Sequence, residues 1–317
     1  MRAKILRLLR QNDTISGEEM SRLLGVSRAA VAKHIQALRR EGYRIEAAPH
    51  RGYSFLEAAD TLSAGEISHF LGEGSMWRLK YLPLADSTSN VLRALAEAGE
   101  AEGLAVIADE QTDGRGRLGR KWHSPAGSGL WFSFLLHPAL LPQEAHKATL
   151  LAAVAMTETL QDQGIPCYIK WPNDVMSQGK KLCGILCEMR CSIEKVDWLI
   201  VGLGLNINNQ AFPPELAETA ISLRQISGRK ENRALLLAAL LRKLEQNYLL
   251  LRQEGFSPIR EKWRGLAEGM SKTVEVRTAR DCVSGLALDI DDDGFLLLRA
   301  EDGSVSRITS GDLFMHQ

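Results

Sequence analysis

The chain has 317 residues, 39 Lys and Arg against 39 Asp and Glu, and 45% hydrophobic residues, which excludes a mainly disordered chain and points to two or three domains. No apolar run approaches the roughly 18–20 residues that cross a bilayer, so no membrane role is expected. The charged start MRAKILRLLRQNDT does not read as a secretory signal, and the five cysteines then read as reduced thiols of a cytoplasmic protein.

A net charge of zero argues against nucleic acid only if the charge is spread evenly. Residues 1–56 hold eleven Lys and Arg against five acids, an excess of six, leaving 28 against 34 for the rest. This basic head reads as three short helices. Ala3 to Arg10 carries an apolar stripe of Ile5, Leu6, Leu8 and Leu9. Ser16-Gly-Glu-Glu19 has the form of a capping box, opening a helix that runs to about Leu24 with Met20, Leu23 and Leu24 inward. Gly25 supplies a left-handed turn residue, and Ser27 caps a third helix, Arg28 to Arg40, in which Val31, Ile35 and Leu38 form the buried stripe. Alternation then takes over: Tyr43 and Ile45, a turn at Pro49-His50-Arg51-Gly52, then Tyr53 and Phe55. Helix, tight turn, helix and a two-stranded basic wing resemble a winged helix-turn-helix domain. That likeness places Ser27, Arg28, Ala29, Lys33, His34 and Arg51 toward DNA. The competing reading is a small helical module whose basic face is merely solvated.

Leu56 to Gly65 reads as a linker. Ser87-Thr-Ser-Asn90 precedes a helical run, Val91 to Ala98, and Leu104 to Ala108 is a short apolar strand. The segment after it runs from Asp109 to Trp122. Its Gly114, Gly116 and Gly119 satisfy GxGxxG, but Arg120-Lys-Trp-His-Ser-Pro125 cannot form the apolar helix that a dinucleotide site requires. What remains is Arg115, Arg117, Arg120 and Lys121 on a glycine-loosened backbone, a loop suited to phosphate or carboxylate oxygens and expected to be mobile when empty. The segment Ile169 to Val175 places polar Asn173 and Asp174 straight after a buried strand. Lys180 to Glu188 and Trp198 to Asn208 are further strands with glycines inside them. Cys183, Cys187 and Cys191 share one strand face without zinc-site spacing, so they read as buried structural thiols, and the seven histidines form no cluster.

Glu231 to Gln253 is a long amphipathic helix and Phe256 to Leu266 a shorter one. Beyond Gly269 come short strands between Gly and Asp turns: Thr273 to Val276, Ser284 to Ile290, Asp293 to Leu298 and Ser304 to Ile308.

In this order and spacing, GRGRLGRKW, KWPNDV, KKLCGILCE and VGLGLNIN resemble the biotin–protein ligases. With the winged head, the chain resembles the bifunctional type that is also a biotin operon repressor. The resemblance covers essentially the whole chain. It implies an α+β multidomain fold: a winged helix-turn-helix over residues 1–60, a mixed-sheet α/β ligase domain like that of class II aminoacyl-tRNA synthetases over 61–268, and an SH3-like β-barrel over 269–317.

The resemblance further implies that biotin and ATP, with Mg²⁺, form biotinyl-5′-AMP and diphosphate, after which a lysine of a biotin carboxyl carrier protein displaces AMP. Arg115, Arg117, Lys181 and Asp174 are the implied catalytic residues. Ser87, Thr88, Ser89, Gln111, Gly114, Arg115, Gly116, Arg117, Lys181 and Gly184 are implied around biotin. Arg117, Arg120, Trp122, Asn173, Asn206, Asn208 and Arg307 are implied around ATP or the adenylate, although for Trp122 a plain core position competes. Asn173 and Asp174 are implied either to hold Mg²⁺ or to orient the incoming lysine. Operator DNA, a ligand-promoted homodimer pairing central-sheet strands edge to edge, and use of the barrel in binding ATP and carrier complete the expectation. The alternatives are a ligase with a vestigial head and a biotin-sensing regulator without turnover. A lipoate-type ligase is more distant, since its paired arginines and triple glycine are absent.

Overall fold

The structure, a computed structural model, describes residues 1–40, 42–48, 51–57, 60–278 and 281–315. The head comprises α1 (Arg2–Gln11), α2 (Gly17–Leu24), α3 (Arg28–Arg40) and the antiparallel strands β1 (Arg44–Ala48) and β2 (Gly52–Glu57). Ser16 Oγ accepts from Glu19 N at 3.0 Å and Ser27 Oγ from Ala30 N at 3.2 Å, satisfying backbone donors that open α2 and α3. Gly25, at φ 66°, closes α2 in the left-handed conformation. Ile5, Leu9, Met20, Val31, Ile35, Leu38, Tyr43 and Ile45 form a core of the head's own. Leu23, expected inward, is 52% exposed: α2 has only two turns, and Met20 and Leu24, four residues apart, take the buried face. The tip residues Pro49 and His50 lie outside the described residues, and the exposed Arg51 adjoins them. Gly52 is required where it stands, because a Cβ there would lie 2.3 Å from Ile15 O, across the Ile15–Tyr53 bridge.

The expected linker is shorter than the segment 56–65, since β2 continues to Glu57 and a helix opens at Ala64. The body then runs through α4 (Ala64–Leu71), β3 (Arg78–Ala85), α5 (Thr88–Glu97), β4 (Leu104–Gln111), β5 (Gly129–Leu136) and α6 (Lys147–Asp162). It continues with β6 (Tyr168–Lys170), β7 (Asp174–Ser177), β8 (Lys180–Cys191), β9 (Val196–Asn206), α7 (Leu223–Ser227), α8 (Arg233–Glu254) and α9 (Ser257–Leu266). Seven strands form one mixed sheet in the order β3-β4-β5-β9-β8-β7-β6, with β3 and β4 parallel and the other pairs antiparallel. Both faces of the central strands are covered. Ala105 and Ile107 of β4 join the large core containing residues of α6 and α8, whereas Leu104 and Val106 join Leu92 and Ala96 of α5 on the opposite face. Burial on both sides explains why β4, β5 and β9 read as continuous apolar runs rather than as alternation. The buried strand expected from Ile169 is β6; Asn173 follows it in a turn, as expected, and Asp174 begins β7.

The chain ends in β10 (Thr273–Arg277), β11 (Cys282–Ile290), β12 (Leu296–Arg299), β13 (Val305–Ile308) and β14 (Asp312–Met315). These form an antiparallel sheet in the order β13-β12-β11-β10-β14. Its inner residues Val274, Val276, Ala287, Leu296, Leu298 and Leu313 are continuous with the body's core. The sheet is therefore packed onto the body, and β14 carries Asp312 to the cavity described next. No helix among the described residues is long and apolar enough to cross a membrane.

Candidate active site

A cavity of about 440 Å³ opens between the mixed sheet, the glycine-arginine loop, the segment 212–220 and β14. At one end lie hydroxyls and a carboxamide. Thr88 N, at the start of α5, donates to Gln111 Oε1 at 2.9 Å, and Gln111 Nε2 donates to Ser124 Oγ at 2.9 Å. Thr88 Oγ1 and Ser89 Oγ sit 2.8 and 2.9 Å from Ser133 Oγ. Ser87, Thr88, Ser89 and Ser133 are all buried, so this network offers a neutral polar ligand group partners in a place where water would otherwise be needed.

The floor is made of glycine. Gly184 of β8 pairs with Gly204 of β9, and Gly202 lies two residues away. A Cβ at Gly202 would meet Ser89 Oγ at 2.9 Å, and one at Gly204 would meet Trp122 Nε1 at 2.2 Å. The half-buried indole of Trp122 lies on this floor, edge-on to Trp131 with ring centroids 6.4 Å apart and 5.5 Å from Lys181 Nζ. Its Nε1 is buried and has no hydrogen-bond partner among the described residues.

The other end is cationic. The loop expected to be mobile is a closed hairpin: Gly114 O accepts from Trp122 N at 2.8 Å, Arg120 O accepts from Gly116 N at 2.7 Å, and Arg115 bridges to Lys121. Gly114 itself does not line the cavity; it lets the hairpin close, because a Cβ there would fall 2.5 Å from Trp122 O. The arginines of the loop pair with carboxylates. Arg115 pairs with Asp113 at 3.1 Å, and Asp312 pairs with Arg117 at 3.3 Å and Arg120 at 2.9 Å. Lys181 Nζ lies 2.6 Å from Asp174 Oδ1, a charge contact without hydrogen-bond alignment. Asn173 is buried: its Oδ1 accepts from Arg117 at 3.0 Å and its Nδ2 donates to Ile185 O at 2.8 Å. It positions Arg117.

Most of the expected site residues meet here. Ser87, Thr88, Ser89, Gln111, Arg115, Gly116, Arg117, Arg120, Trp122, Asn173, Asp174, Lys181, Gly184 and Asn206 all line the one cavity. Besides Gly114, two expected residues lie elsewhere. Asn208 does not line the cavity and instead bonds Asp60 and Glu231, because the chain has turned away after β9. Arg307, on β13, is paired with Asp291 and Asp293 and stacked over Phe295, because β14 rather than β13 faces the cavity. Cys183 is buried, as expected, but Cys191 is exposed because β8 outruns the helices that cover it.

Other lining residues were not singled out by the motifs: Ser133, Lys170, Phe212, Leu216, Asp312 and Phe314. Lys170 lies 5.1 Å from the Phe314 ring; burial holds its ammonium below the ordinary lysine range, an effect that Asp174 and Asp312 oppose. A lysine directly before Trp-Pro-Asn-Asp was the available signal for it. Ser133, inside the apolar run GLWFSFLL, was a second signal, since a lone hydroxyl in such a run needs a partner.

On the head, Arg28, Ala29 and Lys33 are exposed along α3, His34 is half-buried, and Ser27 serves as the cap. Among the described residues no group of three His, Cys, Asp or Glu could hold a metal.

A helix-turn-helix head, a two-sided mixed sheet with a polar-to-cationic cavity, and a small closing β-sheet define a ligase of the biotin/lipoate class carrying a DNA-binding module. Three family models match the chain. An HTH domain covers residues 2–54, the Biotin/lipoate A/B protein ligase family covers 81–206, and the Biotin protein ligase C terminal domain covers 272–315. The Bifunctional ligase/repressor BirA of Bacillus subtilis is 40% identical over 319 residues, spanning 99% of this chain and 98% of that protein. That of Escherichia coli is 34% identical over 98% of this chain and 95% of its own length. Among solved structures, the biotin protein ligase of Aquifex aeolicus in complex with biotin and ATP superposes with a TM-score of 0.66 at 32% identity, covering 76% of this chain and 99% of that one. The chain belongs to the family of bifunctional biotin ligase/repressors.

Proposed function

We infer that the protein joins biotin to a lysine of a biotin carboxyl carrier protein and, through its head, represses biotin-synthesis genes in the cytoplasm. The observation that carries this reading is the polarity of the one cavity. Buried hydroxyls and a carboxamide at one end suit the neutral urea of biotin, while Arg115, Arg117, Arg120, Lys170 and Lys181 at the other suit a carboxylate meeting a triphosphate. Between them, glycines in the floor make room for the Trp122 indole, a flat apolar wall of the same cavity.

In the first step a carboxylate oxygen of biotin attacks the α-phosphorus of ATP. The new C–O–P linkage forms as the bond to the diphosphate breaks, and diphosphate leaves. Both reactants are anions, so cations already in place lower the barrier by holding charge where it develops. Lys181, at the head of β8, and Arg117, fixed by Asn173, supply that field. In the second step the neutral lysine amine attacks the acyl carbon, AMP leaves with the bonding electrons, and the amine proton passes to solvent. Asp174, beside Lys181, is placed to orient that amine. Asp174 would also hold Mg²⁺ carried in on the triphosphate, and the ion would neutralise phosphate charge.

For the head, exposed Arg28 and Lys33 on α3 and Arg51 at the wing support DNA contact. One recognition helix reads few base pairs, which favours a ligand-promoted homodimer. Exposed apolar residues at the β8–β9 hairpin, Met189 and the 97% exposed Ile193, offer surface for a second copy. Purified protein with labelled biotin, ATP, Mg²⁺ and a carrier domain tests the enzyme: label on the carrier with stoichiometric AMP is expected, and no AMP with all substrates present would overturn the assignment.

A further inference from the structure

The junction between head and body holds more buried charge than a passive linker requires. Arg233, at the first turn of α8, is almost wholly buried. Its Nε donates to Asp60 Oδ1 at 2.9 Å, and its Nη1 donates to Asp109 Oδ1 at 2.8 Å and to Gly129 O at 3.3 Å. Asp60 Oδ2 also accepts from Asn208 Nδ2 at 3.3 Å. Apart from Asp60, each of these partners sits at or near the end of a strand that lines the cavity. Asp109 is two residues before Gln111 on β4, Gly129 begins β5 opposite Asn206, and Asn208 is two residues beyond Asn206. Asp60 lies three residues past the end of β2 in the head.

Six residues further on, the chain reaches back. Glu66, on the first turn of α4, is buried; one carboxylate oxygen takes Arg10 of α1, and the other accepts from Tyr43 OH at 2.9 Å. Arg10 also lies over Phe55 of the head and Phe70 of α4. The opposite face of α4, Ile67 and Leu71, is packed in the body's core.

We propose that the Asp60–Arg233 node and the Glu66–Arg10–Tyr43 joint are the two ends of one positioning device through which occupancy of the cavity sets the head. Ligand draws on Gln111 and Asn206; the strand carrying Gln111 shares Arg233 with Asp60, the chain past Asn206 reaches Asp60 through Asn208, and the short stretch from Asp60 to Glu66 ends on Arg10 and Tyr43 of the head. Buried charge pairs resist partial adjustment, because a carboxylate or guanidinium that slips from its partner is left desolvated and unpaired. A shift at one end is therefore passed along or refused, not absorbed. The proposal rests on the ligase reading only in naming biotin and ATP as the occupants.

Amide hydrogen exchange on the full chain, with and without biotin and ATP, tests it in wild type, Asp60→Asn and Glu66→Gln. In wild type, ligand should slow exchange in α1 and around Tyr43 by at least about fivefold, the lower end of ordinary coupling between sites. In both variants the body should still be protected by ligand and AMP formation should be unchanged, while the response of the head is lost. A head that responds equally in wild type and both variants, or in none of them, overturns the proposal. Failure of the wild type to form AMP would instead remove the ligase reading, and the exchange result would still report whether biotin and ATP reach the head. A variant whose thermal midpoint falls well below wild type is replaced by Arg233→Lys, which keeps the charge and shortens the fork; it should show a reduced rather than absent response.

Discussion

Asn173 carries no charge of its own, yet the geometry of Arg117 depends on it. The side chain is buried, one end is tied to the Ile185 carbonyl and the other to the guanidinium, so the arginine is held by a group that is itself held. Replacing Asn173 with Ala leaves the Ile185 carbonyl without that donor and frees Arg117 to turn toward Asp312. Misplacing a group that acts on the transition state costs on the order of 100-fold. We expect Asn173→Ala to lower kcat for AMP formation by that order while the Kd for biotin alone changes little, measured by single-turnover kinetics beside equilibrium titration. Equal losses in both would show that Asn173 holds the biotin end instead. At this scale the sequence was readable where chemistry-bearing residues are contiguous, as in the Gly-Arg loop and in Lys-Trp-Pro-Asn-Asp. It was not readable where a partner comes from far along the chain. Ser133 completes a hydroxyl cluster begun 44 residues earlier at Ser89, and Asp312 meets Arg117 across 195 positions. Neither partner can be read from a local pattern, even where, as at Ser133, a lone hydroxyl in an apolar run shows that one is needed.

At the scale of elements, β8 and β9 matter for what they lack. Gly184 and Gly204 face each other across the pair, and Trp122 lies where their side chains would be. The space is narrow: a methyl at Gly204 would sit 2.2 Å from the indole nitrogen, so the ring must move. Gly204 has no positive φ, so the obstacle is the ring and not the backbone. Gly204→Ala should therefore fold with nearly the wild-type thermal midpoint and lose biotin affinity by roughly tenfold or more, since a pocket wall displaced by even an ångström costs binding contacts. Isothermal titration with biotin and a melting curve separate these outcomes, and unaltered affinity would show that ligand does not use this floor. The strands themselves were legible from their apolar runs, and the cap residues Ser16, Ser27 and Gly25 marked the head's helices. The order of the sheet was not legible, because strands buried on both faces carry no alternation to reveal which neighbour covers which side. β14 escaped notice for a related reason: it is four residues long, and its place beside β10 is fixed by a partner almost forty positions upstream.

Over the whole molecule, pH and salt report on different parts. Burial pushes the Cys167 thiol from its ordinary 9.0 up to about 12, and the Cys183 thiol is raised by the same cause. A raised folded value means that the unfolded chain loses these protons first, so their contribution is intact below pH 9.0 and is lost as pH rises through the folded values. Each such thiol costs about 1.4 kcal/mol per pH unit within that window. Urea midpoints should fall across it, and less steeply in Cys167→Ala; parallel slopes would mean that the thiol is not desolvated. Salt addresses the head. Its six excess positive charges are offset by six excess negative charges on the rest of the chain, so long-range attraction of a single copy to DNA is modest. If biotin and ATP assemble two copies, two heads neutralise phosphates together, and the dependence of log K on log salt, about 0.9 per phosphate contacted, should become about twice as steep. The measurement uses a duplex selected from a random pool by the loaded protein, titrated at several salt concentrations with and without both ligands. A slope unchanged by ligand, with affinity raised, would mean that ligand improves the contacts of one head. A slope that doubles would mean that assembly supplies the affinity, and the acidic body would then serve to keep single copies off DNA until biotin is plentiful.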